Sequence, residues 1–201
     1  SLRRDLTTGF RALVSTPSLA YATVLTTVGF AGQAAFLVTV PLLAQAQTGS
    51  LAASGWVFGA AAVGGLVTTG LVARRPLQHL DRGLSLTTAG IGVSLLVLAV
   101  SPSFAVTVAA AAAFGAFEGP LLTALFRIRT READPAVRSA VFTTAASLRT
   151  TAYAGTTAVF GALLGLGTTV LLLLGVALQL MAFATAGWAH HAVARRAPGA
   201  P

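Results

Sequence analysis

The chain has 201 residues, 55% of them hydrophobic and only 9% charged, with a formal net charge of +8 and no cysteine. Soluble domains carry about 25% charged residues, so the shortage of charge, more than the apolar excess, points to the bilayer as the solvent. The absence of cysteine excludes disulfides, thiolate metal sites and thiol nucleophiles.

Residues 1–18 form a basic lead-in with Arg3, Arg4 and Arg11. It is not a signal peptide, because the apolar segment that follows has the length of a full span and lacks a cleavage signal. The start at Ser1 rather than Met reads as a fragment or a processed product. Six apolar runs then follow, at 19–43, 51–73, 84–100, 104–126, 140–163 and 168–188. At about 1.5 Å per residue each can cross a hydrocarbon core of about 30 Å.

The first run places Gln33 near its middle, with Thr26 and Gly29 on nearly the same helical face. The second has Gly55 and Gly59, and the fourth Gly115 and Gly119, each pair four residues apart and suited to close helix packing. Between the third and fourth runs lies a tight Ser101-Pro-Ser turn. The fourth run contains one charge, Glu118. The fifth is polar for a span, with Thr143, Thr144, Ser147, Arg149, Thr150, Thr151 and Thr156. The sixth carries Gln179, read as a packing residue, and residues 189–201 read as a disordered tail.

All thirteen basic residues are arginine, and twelve fall on one side of this topology. They are Arg3, Arg4, Arg11, Arg74, Arg75, Arg82, Arg127, Arg129, Arg131, Arg138, Arg195 and Arg196, while the connections at 45–50, 101–103 and 165–167 contain none. By the positive-inside rule both termini and the longer loops are cytoplasmic. Tyr21, Trp56 and Trp188 near the span ends suit interfacial anchors. The basic charge is then topogenic, and nucleic acid is not the expected partner. The expected fold is an all-α membrane protein of six transmembrane helices in the cell membrane. It divides into two inverted three-helix units, a plan used by transporters.

Glu118 and Arg149 are the two charges inside the spans, each about 12–14 Å from the cytoplasmic interface. A charged side chain at a helix centre costs about 2.5–3.5 kcal/mol on insertion scales, so each needs a cavity or a partner. Helices adjacent in sequence are usually neighbours, and an ion pair between the two is geometrically feasible. Either Glu118 exchanges a proton, or Glu118 or Arg149 contacts a charged substrate directly, or the two form a static pair. Pro41 and Pro120 interrupt backbone bonding inside their spans.

Four stretches carry a resemblance. They are Arg11-Ala-Leu-Val-Ser-Thr-Pro-Ser-Leu with Val40-Pro-Leu-Leu, then Gly49-Ser-Leu, then Gly115-Ala-Phe-Glu-Gly-Pro-Leu-Leu, and then Arg131-Glu-Ala-Asp-Pro-Ala-Val-Arg-Ser-Ala-Val-Phe. In this order they resemble the seventh, eighth, tenth and eleventh helices of a major facilitator superfamily transporter of the actinobacterial efflux type. The family's cytoplasmic Asp-Arg signature is altered, since Gly70-Leu-Val-Ala-Arg-Arg-Pro has Arg where the Asp would stand. The resemblance implies the carboxy-terminal half of a twelve-helix secondary transporter. Its partner would be the missing amino-terminal six-helix half or a separate subunit. Its first and fourth spans would line the central cavity, making Gln33 a substrate contact, with Thr26, Thr123, Thr150 and Tyr153 of the same kind. The cargo would be a small amphipathic or hydrophobic molecule moved by alternating access, with proton-coupled efflux through Glu118.

The alternative is a non-transporting membrane scaffold or assembly partner whose buried charges are structural. An enzyme is not expected. The chain lacks a phosphate-binding Gly-x-x-x-x-Gly-Lys loop and a His-Glu-x-x-His motif, and its spans hold no nucleophile–base pair. His79, His190 and His191 have no accompanying carboxylates, so no metal and no cofactor is expected.

Overall fold

The computed structural model describes residues 2–74 and 79–194, without the side chains of 2–6, 81, 186, 187 and 189–194. Of the arginines expected to set the topology, Arg75, Arg195 and Arg196 lie outside the described residues. Among the described residues seven α-helices run in order: α1 (Leu2–Ser15), α2 (Pro17–Thr48), α3 (Ser54–Arg74), α4 (Leu80–Ala99), α5 (Phe104–Glu132), α6 (Arg138–Ala162) and α7 (Thr168–Ala194). Short 3-10 turns at Leu51–Ala53 and Leu164–Leu166 join them, and the described residues contain no strand. Five segments, at α2, Leu51–Arg74, α4, α5 and α7, are long and apolar enough to cross a membrane. The fold is therefore all-helical and compatible with a multi-pass membrane protein. α6 has the length at 25 residues, but its threonines and Arg149 keep it below the hydropathy of the others.

The helices outrun the apolar runs in places. α5 continues through Arg127, Arg129 and Arg131 to Glu132, because Arg, Ile and Glu are sound helix formers once a helix is under way. The tail expectation needs a correction for the same reason. Residues 189–194 continue α7, since a run of Ala, His and Val has no breaker, and 195–201 lie outside the described residues. The lead-in also has structure. α1 buries Leu13 and sets Gly9 against Ala140 and Thr144 of α6 so closely that a methyl there would collide with both. It stops at Ser15 because Thr16 precedes Pro17 and takes an extended conformation at φ −105°, ψ 119°; the proline ring disfavours helix at that position. Pro17 opens α2 with no N–H to lose. Gly49 closes it in the left-handed region at φ 76°, its N–H donating to Gln45 O at 2.9 Å. α2 and α5 both continue through their internal prolines, Pro41 and Pro120.

α2 is the hub, packing against α7 and α6 and touching α5. α5 packs against α3 and α4, and α4 also meets α7. Exchanging α2, α3 and α4 with α5, α6 and α7 maps these pairings onto one another. The α3–α5 contact becomes α6–α2, α4–α5 becomes α7–α2, and α2–α5 and α4–α7 map onto themselves. α5 and α6, although consecutive, barely pack on each other. Their rings Phe126 and Phe142 stack at 5.9 Å beside the connecting turn, and beyond it the helices part.

Glycine sets the closest approaches. A methyl on Gly115 would collide with Ala61 O of α3, and one on Gly119 would lie 2.7 Å from Gly65 O. Between α2 and α7 the fit is reciprocal: a methyl on Gly32 would lie 2.7 Å from Gly175 O, and one on Gly175 2.8 Å from Gly32 O. The expected packing role of Gly55 and Gly59 is corrected, because both face open space. They fall on the face of α3 turned away from α5, which meets α5 through Ala61, Gly64 and Gly65 instead.

Polar side chains fasten the two ends of the bundle. At the arginine-free end Gln47 Nε2 donates to Ser101 Oγ at 3.0 Å, and Thr107 Oγ1 donates to Gln47 Oε1 at 2.9 Å. Ser101 and Thr107 hydroxyls meet at 2.5 Å and close the triangle. At the arginine-rich end Tyr21 of α2 hydrogen-bonds Ser85 of α4.

Candidate functional site

A cavity of about 610 Å³ opens among α2, α3, α5 and α6, within the range of about 300–1,000 Å³ typical of small-molecule sites. Each wall follows helical periodicity. α2 contributes Phe30, Gln33, Phe36 and Leu37, and α5 contributes Phe114, Glu118 and Leu122 at intervals of four. α3 supplies Phe58, Ala61, Ala62, Gly65 and Leu66, and α6 supplies Arg149, Thr150 and Tyr153. The flanking helices α3 and α6 are not packed on one another.

The walls are mainly aromatic. Phe36 stacks on Phe114 at 4.3 Å with the rings 6° from parallel, and meets Phe58 edge-on at 5.7 Å. Together they tie α2, α3 and α5 around one end of the cavity. On the α6 side Phe30 meets Tyr153 edge-on at 6.5 Å, and the Arg149 guanidinium lies over the Phe30 ring at 4.5 Å. Such a cation–π contact contributes about 0.5–2 kcal/mol, more where water is excluded.

Glu118 stands fourteen residues from either end of α5, at the middle of the helix. It lines the same cavity as Arg149, and the two charges attract. They form no ion pair within 4.0 Å; among the described residues that description fits only Arg131 and Glu132. Of the alternatives open to Glu118, a static ion pair in contact is therefore not what the structure shows; the two charges stand apart on one cavity. The reason is the packing order: α6 leans on α2 rather than α5, so Arg149 settles on the Phe30 ring. Its Nη1 is buried without a hydrogen-bond partner.

The remaining expected contacts divide. Gln33 is 3% exposed and lines the cavity, and its amide makes no hydrogen bond within the described residues. Thr150 and Tyr153 also line it. Thr26 and Thr123 do not. Thr26 shares the face of Gln33 but lies seven residues, or about 10 Å, nearer the arginine-rich end, where its hydroxyl donates to Ala22 O at 2.6 Å. Thr123 is five residues beyond Glu118 and so points about 140° away; its hydroxyl donates to Gly119 O at 3.1 Å. Gln179 reaches across from α7 to donate to Gly29 O at 2.9 Å.

Sequence reading missed the phenylalanines and the whole α3 wall. The signal available was spacing: Phe30, Gln33 and Leu37, and Phe114, Glu118 and Leu122, each trace one helical face around a polar residue. It also took Arg129 for a loop charge, whereas this side chain is 1% exposed near the end of α5. No group of three metal-ligating side chains occurs among the described residues, and the side chains of His190 and His191 lie outside them. Compared with known protein families, with curated proteins and with solved structures, the chain matches none.

Proposed function

We propose that this chain is the carboxy-terminal six-helix half of a facilitator-type secondary transporter. In this reading α2–α4 and α5–α7 are two inverted three-helix units, α6 crosses the cell membrane with the other five, and both termini are cytoplasmic. The cavity is one wall of a path for a small amphipathic or hydrophobic molecule. Alternating access exposes it to each side in turn, and Glu118 carries the proton that drives efflux. The observation that carries the reading is the aromatic cavity with an unpaired Glu118 and Arg149 on facing walls. A static structural pair would be in contact. The pairing of helices, symmetric under exchange of the two halves, supports the inverted units.

The chain's lack of cysteine makes the topology directly testable by single substitutions. With a membrane-impermeant maleimide on intact cells, Ser103→Cys and Gly165→Cys are expected to label, and Ala136→Cys only after permeabilisation. Protection of Gly165→Cys would mean that α6 does not cross. For coupling, vesicles carrying the protein at its full coding length are the assay. Glu118→Gln is expected to be made at normal levels but to lose accumulation of amphipathic dyes against their gradient. Undiminished gradient-driven accumulation by this variant would remove Glu118 from coupling.

A further inference from the structure

Arg149 and Arg129 together are an electrostatic anomaly. Arg129 is 1% exposed, and its Nε and Nη2 have no hydrogen-bond partner. Arg149 Nη1 is likewise buried and unpartnered. The two guanidiniums carry like charges and repel one another. Glu118 attracts Arg149 but stands beyond ion-pair range, and no ion pair within 4.0 Å reaches Arg129 among the described residues. Burying two like charges with free donors is costly unless an opposite charge satisfies them.

The seating of Arg149 shows what it is free to do. Phe30 takes the face of its guanidinium, whereas all five N–H donors of an arginine lie in the plane of the group. The ring therefore fixes the orientation of that plane without consuming a donor. The edge remains available for the two-pronged recognition of a carboxylate or phosphate. Phe36, Phe58, Phe114 and Leu122 supply most of the apolar lining of the cavity, and Gln33, Glu118, Thr150 and Tyr153 are its other polar groups.

We propose that Arg149, backed by Arg129, is an oxyanion receptor. It holds the carboxylate or phosphate headgroup of an amphipathic molecule whose apolar body lies on the phenylalanine wall. Arg149 makes the direct contact, and Arg129 adds positive field from the arginine-rich end. This rests on the reading of the cavity as a substrate path and names the substrate class for it.

The test is calorimetric titration of the purified full-length chain in phosphatidylcholine nanodiscs. Four probes share one body: phenylbutyrate, phenylbutyl phosphate, phenylbutanol and phenylbutylamine. The two anions are expected to bind at least about tenfold more tightly than the alcohol or the amine, the value of one charged hydrogen bond. Arg149→Gln is expected to abolish that preference, and Arg129→Gln to weaken it in a salt-dependent way. Arg149→Lys keeps the charge but not the planar fork, and should retain part of the preference. Thermal melts of each variant separate lost binding from lost folding, and the lysine variant keeps the test valid if the glutamine variant does not fold.

Equal binding of all four probes, or an anion preference untouched in folded Arg149→Gln, overturns the proposal. So does the absence of binding by any probe. Charge-blind binding that Phe36→Ala abolishes would overturn the anion receptor yet leave the transport reading intact. That reading fails separately, if vesicles show no gradient-driven accumulation. Replacing phosphatidylcholine with phosphatidylglycerol identifies the source of the anion. Unchanged phenylbutyrate affinity supports a soluble substrate, whereas its loss assigns the site to an acidic lipid and overturns the substrate assignment.

Discussion

The two flanks of the cavity, α3 and α6, occupy equivalent places in the packing scheme and have opposite chemistry. α3 rests on α5 through glycine-lined backbone contacts at Gly64, Gly65, Gly115 and Gly119. Its outer face exposes Trp56, Val63, Val67 and Leu71, with Trp56 at 75%. α6 rests on α2 through side chains, among them Phe30 against Tyr153 and Arg149. Its own glycines, Gly155 and Gly161, meet nothing within 4 Å. Equivalent position thus fixes where a helix stands, while the contact chemistry decides what it does. A backbone-to-backbone seam supplies a rigid apolar wall, and a side-chain seam leaves polar groups free to serve the cavity.

The sharpest way to break this comparison is to enlarge one glycine on each flank. Gly115→Leu drives a side chain into the α3 backbone and is expected to cost about 3 kcal/mol or more, read as loss of monodisperse protein or a large fall in Tm. Gly155→Leu on α6 should stay within about 0.5 kcal/mol of the parent, because it meets open space. Equal costs would mean that both flanks are held the same way.

A smaller effect separates the two partners of Arg149. A double-mutant cycle of Arg149→Gln with Phe30→Leu is expected to give a coupling of about 0.5–2 kcal/mol. The corresponding cycle with Glu118→Gln should give less, since the carboxylate is not in contact, and Glu118→Ala should not rescue Arg149→Ala. Rescue would restore the static pair. The smallest effect is expected on the outer face of α3, where Gly55→Ala and Gly59→Ala should change Tm little, within about 0.5 kcal/mol. A large loss at either would place a partner on that face.

Much of this molecule was legible as a linear pattern. Apolar runs and the one-sided arginines define the helical segments and their connections, because a helix satisfies its own backbone wherever the chain supplies enough apolar length. Glu118 stood out for the same reason, as the single charge in its run. Helix extension past the apolar runs was harder to read, since hydropathy marks the solvent a residue prefers and not where hydrogen bonding stops; residues 127–132 of α5 and 189–194 of α7 illustrate it.

What the linear pattern could not contain is which helix faces which. The glycine pairs of α3 and α5 look alike in sequence, yet Gly115 and Gly119 lie in a seam and Gly55 and Gly59 face outward. Glu118 and Arg149 sit at matching depth on consecutive helices, which suggested a pair. Their separation follows from α6 docking on α2, an outcome of side-chain fit between residues far apart in the chain, such as Phe30 and Arg149. Sequence alone determined the helices, the arginine asymmetry and the presence of two charges within the helical runs, because these depend on local composition. Tertiary packing alone decided that those charges share an aromatic cavity without touching, and that Arg129 is buried.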